Sequence, residues 1–475
     1  MHIMKRLNLK KTFLYSLIAC LSMASCGDYF DLSENPNLVN KPPLGSLLTT
    51  ATHRSALNSY NIAYNTSNYV QYTASPTTAS ATDTYDVTNP NSSWDALQFT
   101  LATLYDLTHA AEEEKAQHYL GIAQILTAYN LGLLADHWGA APYSDAYSLQ
   151  NLTPKYDTEE SLYSTQLSLL KSGLAHLAEA STVKVLASAD LIHAGELDAW
   201  TKTGNALLAR ALNKVSKKSS YDATQVLSAL EKSYTSNADD AQMGVFKGIN
   251  PWAAVALDNE NLNLDGWLSS QFINQLNGTT FGLFDPRIEK ITDKTVHGVY
   301  VGTRNGQGNT GAANTIKDEC YISRNAPLTS DKAALTLVSY AETKMIEAEA
   351  ALRAGKQSQA YQAYLAGINA HMQKLSVAAD KQNLYVNNAL VSVGENQLSL
   401  NQIFKEKFVI TYLNAEAWND ARRFDYQYQG FQMPLNAVLK TFIRRIAYPS
   451  GERSKNFQNV PAEVALDTKL WWDQP

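Results

Sequence analysis

The chain has 475 residues and a net charge of -6 at pH 7, with 45% hydrophobic and 18% charged side chains. That composition builds a globular fold and excludes a disordered one, and an acidic balance without clustered Lys and Arg argues against nucleic acid as a partner. Its 26 Tyr and 8 Trp offer flat apolar faces beside polar handles, which suit polar, flat-faced ligands such as sugars.

Lys5, Arg6, Lys10 and Lys11 precede a mostly apolar stretch from Thr12 to Met23, after which Ala24 and Ser25 lead into Cys26. This is the pattern of a secretory signal peptide over residues 1–25. The apolar stretch is too short for a membrane span, which takes roughly 20 residues. The small-small-Cys ending resembles a bacterial lipobox, which makes Cys26 the lipidation site and the mature N-terminus. Cys20 would leave with the signal, so Cys320 alone remains as a thiol and no internal disulfide is expected. No CxxC pair offers a zinc site, and Cys320 reads as a small buried hydrophobe. Asn35-Pro36-Asn37 and Lys41-Pro42-Pro43 interrupt an aperiodic stretch that reads as a lipidated tether over 26–43.

From near Leu44 to residue 475 the chain reads as one mostly α-helical domain. Ile122, Ile125, Leu126, Tyr129 and Leu133 share a helix face. Asp157 stands three before Glu160 in a capping-box pattern, opening a stripe of Tyr163, Leu167, Leu170, Leu174 and Leu177. Trp200, Leu207, Leu208, Ala211 and Val215 mark a third helix. Leu337, Ala341, Met345, Ala348 and Leu352 mark another, stopped at Gly355, and Tyr361, Tyr364, Leu365, Ile368, Met372 and Leu375 supply its partner. Phe404, Phe408, Tyr412 and Ala415 lie along one last face. Helix, short turn, helix is the grammar of a tetratricopeptide-like array of helix pairs, here without the strict 34-residue motif.

Two regions break this rhythm, one over about 72–94 and one over about 237–327. Long irregular segments on a helical scaffold are where binding residues collect. Catalytic motifs find no support. Gly306-Gln307-Gly308-Asn309-Thr310-Gly311 matches GxGxxG, but no helical stripe follows it and no βαβ unit surrounds it, so it reads as a turn-rich loop. Ser168 and Lys171 match SxxK inside an amphipathic helix, without the companion motifs of serine acyl transfer. His109 and Glu112 form no metal-ligand cluster. Paired carboxylates for glycoside hydrolysis are set by spatial spacing, so a surface hydrolase stays open as a second class of function.

The chain resembles a family through strings in the right order over nearly its whole length. Asp31-Leu32-Ser33-Glu34-Asn35-Pro36-Asn37 with Pro42-Pro43 and Leu47-Leu48 is one, and Asp136-His137-Trp138-Gly139-Ala140-Ala141-Pro142-Tyr143-Ser144-Asp145-Ala146 is a second. Trp200 with Asn205, Leu208 and Arg210 is a third, and Asp285-Pro286-Arg287 a fourth. Glu342, Ala348-Glu349-Ala350, Ala417-Trp418, Arg422-Arg423, Arg445-Ile446-Ala447-Tyr448-Pro449, Glu452 and Asn456 complete the set. Together they resemble the SusD/RagB-type nutrient-binding lipoproteins.

The resemblance implies a tetratricopeptide-type array with a loop-rich ligand-binding half. It also implies a lipid anchor on the outer face of the outer membrane, helped by acidic Asp28 and Asp31 after the cysteine. The implied role is a non-catalytic lid on a SusC-like TonB-dependent barrel that takes in oligosaccharide or, as the runner-up, peptide. No cofactor and no metal is expected. The shared strings look architectural, with Trp200, Arg210, Trp418, Arg422 and Arg423 holding helix pairs and buried polar networks. The ligand contacts expected from the loops are Tyr72, Asp83, Tyr85, Trp94, Trp252, Asn263, Trp267 and Arg304, with the aromatic rings stacking and the polar groups orienting.

Overall fold

In the computed structural model, residues 41–86, 91–148, 150–260, 266–310 and 318–475 are described, the side chains of 259 and 260 excepted. The signal segment, Cys26, nearly all of the tether and Asn263 lie outside the described residues.

Residues 44–475 form one compact unit. Helix α1 (Leu44–Thr66) is followed by α2 (Asn91–Glu113), α3 (Gln117–Trp138), α4 (Glu159–Ala178), α5 (Leu197–Lys214) and α6 (Ala223–Leu230). Two shorter helices, α7 (Pro251–Glu260) and α8 (Ser270–Leu276), punctuate the loop-rich middle. A second helical run comprises α9 (Tyr340–Arg353), α10 (Gln357–Lys374), α11 (Ala379–Val386), α12 (Leu400–Ile410), α13 (Glu416–Arg423) and α14 (Ser450–Lys455). The mostly α array of helix pairs expected from the periodicity is therefore present. The tightest pairs are α3 with α4 and α9 with α10.

Composition explains the first of these pairs. Helix α3 is buried around most of its circumference, from Tyr119 and Leu120 through Leu134 and Trp138. A Cβ on Gly121 would come 2.8 Å from the Gly173 carbonyl oxygen, and a Cβ on Gly173 would come 2.8 Å from that of Gly121. Side chains longer than hydrogen at this crossing would hold the helices apart, so glycine on both sides sets the close approach.

Three local expectations are corrected. The N-cap of α4 is Thr158, whose hydroxyl accepts the Ser161 N–H, whereas Asp157 turns away and accepts from the Tyr143 and Ser144 main-chain N–H groups at 3.0 and 2.8 Å. Leu337 belongs to a strand, and the helix after it starts at Tyr340 behind the N-cap Ser339. The stripe from Phe404 to Ala415 is interrupted, because α12 ends at Ile410 and Tyr412 lies in the turn before α13. Apolar spacing marks which residues go inward, and a turn can carry that spacing as well as a helix.

Strands are short and antiparallel. β1 (Thr73–Ala74) pairs with β3 (Trp267–Leu268), and β2 (Ala241–Met243) pairs with β4 (Leu335–Val338). Thr73 lies opposite Leu268, Ala74 opposite Trp267 and Met243 opposite Leu335.

Among the described residues, the charged and aromatic members of the later strings that carried the resemblance form a buried polar frame. Arg210 donates from Nε and Nη2 to Glu342, both at 2.7 Å, and Arg423 grips Glu349 at 2.7 and 2.9 Å and Asp420 at 2.6 Å. Arg287 bridges Asp285 and Glu406, each at 2.5 Å, with no measurable exposure. Such planar, forked pairs offset the cost of burying charge, which isolated ions do not. Arg422 donates to the carbonyls of Asp136 and Arg444, and its guanidinium lies 3.8 Å from the Trp418 ring centroid. The C-terminal string closes on the earlier one: Ile446 N–H donates to His137 O, Trp138 Nε1 to Ala447 O, and Tyr448 OH to Ala140 O. Trp200 Nε1 donates to Asp190 at 2.7 Å. These residues are architectural.

Candidate functional site

The two irregular regions meet through their backbones. Ser269 N–H donates to Tyr72 O, Ser270 N–H to Thr303 O, Thr303 N–H to Leu268 O and Leu268 N–H to Cys320 O. Ala79 N–H reaches Gly306 O and Asn309 N–H reaches Pro76 O, so the loop after β1 is laced to the loop after residue 303. The third partner is the segment after α13, whose Leu435 N–H donates to Asn305 O.

Asp83 is the knot of this lacing. Its Oδ1 accepts from Asn68 Nδ2 at 2.7 Å and Asn305 Nδ2 at 2.9 Å, and its Oδ2 accepts the N–H groups of Ser75 and Gly306, both at 2.9 Å. Burial pushes its carboxyl pKa up, while these donors pull the other way. Gly306 and Gly308 hold left-handed φ angles of 79° and 82°. A Cβ at Gly306 would lie 1.8 Å from Leu435 O, and one at Gly308 would lie 2.6 Å from Thr78 N. The glycines of the GxGxxG string therefore serve a close backbone approach within a loop cluster.

Beside this knot opens a polar cleft of about 220 Å³. Its walls are Gln71, Gln271, Asn274, Arg304, Asn305 and Gln432, with Ser270, Gly430, Met433 and Pro434 completing the lining. The amides are held from behind. Gln71, at a left-handed φ of 55°, donates to Gln432 O at 2.6 Å, and Gln271 donates to Gln429 O at 3.2 Å. Arg304 is exposed and donates to Gln432 Oε1 at 3.3 Å. Primary amides both donate and accept, so this wall matches hydroxyl groups, which do the same.

Of the expected contacts among the described residues, Arg304 alone lines this cleft. Asp83 stands behind it with its oxygens filled by loop donors, a positioning role in place of ligand contact. Tyr72, 2% exposed, is clamped among Phe272, Phe408 and Tyr412, and its hydroxyl donates to Phe408 O. Tyr85, 1% exposed, meets Tyr69 edge-on. Trp94, 1% exposed, lies inside α2 against Trp138, Tyr156 and Tyr448. Trp267 is buried in β3 beside Tyr321. These four rings have no face left for a ligand in this conformation, because burying so much apolar area is worth more than exposing it. Trp252 is also buried, edge-to-face with Tyr60 at 4.9 Å, at the rim of a separate hollow of about 50 Å³ that also involves Thr336, Lys374 and Tyr412. Asn263 lies outside the described residues.

The amides of the cleft went unmarked in the sequence, since isolated Gln and Asn residues on loops and on the short helix α8 follow no motif.

Residues 36–449 match the SusD-like family model described as "Starch-binding associating with outer membrane". The fold is similar to a SusD/RagB family protein from Bacteroides thetaiotaomicron, with a TM-score of 0.75 at 19% identity over 91% of this chain and 99% of that one. A SusD homologue from Bacteroides uniformis gives a TM-score of 0.75 at 20% identity, covering 91% of this chain and 99% of that one. A chitin-binding SusD homologue from Flavobacterium johnsoniae gives 0.74 at 20% identity, covering 90% and 98%. At such identities these structures establish a shared fold. None of the curated proteins matches the chain.

Proposed function

The chain belongs to the SusD-like family, and on that premise we propose that it binds an oligosaccharide in the amide-lined cleft and hands it, as a lid, to a SusC-like TonB-dependent barrel. The observation that carries this reading is the cleft wall of Gln71, Gln271, Asn274 and Gln432, which offers paired donors and acceptors to sugar hydroxyls. The family description, starch-binding and associated with the outer membrane, supports a glycan. A chitin-binding neighbour of the same fold points the same way. The cleft is smaller than the roughly 300–1,000 Å³ that encloses a drug-sized ligand, so it grips one stretch of a longer chain.

Peptide fits less well. Peptides commonly bind by adding a strand to a free backbone edge, and here the Gln429 and Gln432 carbonyls already accept from Gln271 and Gln71. Hydrolysis fits less well still, because the described lining of the cleft includes no Asp or Glu, and glycoside hydrolysis uses a pair of them. The lipid on Cys26 would hold the protein to the outer face of the outer membrane, and Cys26→Ser would release it into the soluble fraction. Calorimetric titration of the full-length chain in detergent, against neutral oligosaccharides and mixed peptides, tests the ligand class. Heat from a glycan that is lost in Gln271→Ala and Asn274→Ala supports the reading. Heat from peptides alone overturns the ligand, and co-purification without any TonB-dependent barrel overturns the lid.

A further inference from the structure

Among the described residues of the cleft wall, Arg304 carries the one formal charge. No Asp or Glu is among the described residues lining the cleft, and Asp83 behind it has both oxygens occupied by neighbouring donors. Arg304 is exposed, enters no ion pair with a described residue, and donates to Gln432 Oε1 at 3.3 Å, a long bond to a neutral acceptor. This occurs in a chain whose net charge is -6, where most buried guanidinium groups are matched to carboxylates.

Neutral sugars need groups that both donate and accept, and the amides supply both. A guanidinium donates only, carries full charge, and matches a planar carboxylate in a two-pronged bond. The geometry points to an acidic oligosaccharide, in which a uronic-acid-type carboxylate pairs with Arg304 while the hydroxyls of the same unit meet Gln271 and Asn274. This inference rests on the glycan-binding reading and narrows it to a charged substrate class. The small volume of the cleft, about 220 Å³, suits one such unit and leaves neighbouring units of the chain outside it.

The test titrates the full-length chain in detergent with an oligogalacturonate and with the same oligomer after its carboxylates are reduced to hydroxymethyl groups. The acidic oligomer is expected to bind roughly fivefold or more tightly at low ionic strength, and the gap should narrow as salt rises. Arg304→Gln should erase the preference and Arg304→Lys should restore part of it, with thermal unfolding unchanged because the side chain is exposed. Equal affinity for the two oligomers, or a preference that survives Arg304→Gln, overturns the inference and leaves glycan binding standing. Silence from both oligomers and from neutral glycans overturns the inference together with the reading beneath it. A preference for free acidic peptides over both oligomers also overturns it.

Discussion

The Asp83 carboxylate accepts the Gly306 main-chain N–H at 2.9 Å, joining the single helical turn at Ala81–Thr84 to a loop 223 positions further along the chain. The same carboxylate takes Ser75 N–H and the side chains of Asn68 and Asn305. Asp83→Ala would strand these donors in a buried place, at a cost of about 2–4 kcal/mol. Hydrogen exchange should then show lost protection at Ser75 and Gly306, while the amides of α9 and α10 keep theirs. Protection lost everywhere at once would show that the knot is not a local device.

Gly306 has no tolerance for a side chain. With φ at 79° and Leu435 O in the space a Cβ would occupy, Gly306→Ala should destabilise the loop cluster by more than about 2 kcal/mol. Thermal unfolding and oligosaccharide titration should both report it, with binding falling further than global stability. A variant with unaltered binding would place the ligand away from this loop.

Glu349 lies fully buried under three donors: Arg423, Arg353 and Asn213. Burial works against its charge, but Arg423 outweighs it, with help from Arg353 and Lys407, and the pKa is held well below the usual carboxylate range. A depressed folded-state pKa adds stability above the unfolded value of about 4.5 and loses it as pH falls toward the folded value. Glu349→Gln should cost about 2–4 kcal/mol at pH 7, because Arg423 keeps Asp420 but loses the second of its two carboxylate partners. The loss should shrink toward acid pH, and a pH-independent loss would contradict the argument.

Glu416 behaves in the opposite sense. Burial first, and then Asp420 and Glu342, push its pKa up from 4.5 to about 7 against the pull of Arg210 and Lys407. Between those two pH values the folded protein holds a proton that the unfolded chain has released. Its stability contribution is therefore full below about pH 4.5 and is lost as pH rises through about 7. Glu416→Gln keeps an uncharged group there at every pH. It should flatten this part of the stability profile and raise the unfolding temperature at pH 8 relative to the unchanged protein.

Much of the helical array was legible because an inward face repeats along each helix, as at Leu170 and Leu177, and because the polar frame uses residue types with one strong partner, such as Arg210 with Glu342. The cleft was legible only at Arg304. Stacking chemistry pointed to Tyr72, Tyr85, Trp94 and Trp267, but their large apolar surface also makes them the best core residues, and burial won. Gln71, Gln271 and Gln432 acquire their role from three distant segments meeting, and their spacing in the sequence carries no trace of that. The helix start at Thr158 in place of Asp157 has a similar cause, since Asp157 found main-chain donors in the turn at Tyr143 and Ser144.

Ligand is expected in the cleft between the loop cluster and the segment after α13. Hydrogen exchange of the full-length chain, with and without an oligosaccharide that gives heat in titration, tests it most directly. Protection on binding is expected in residues 69–74, 270–276, 303–306 and 429–434. Protection confined to the hollow around Trp252 and Tyr60, with those four segments unmoved, would contradict it.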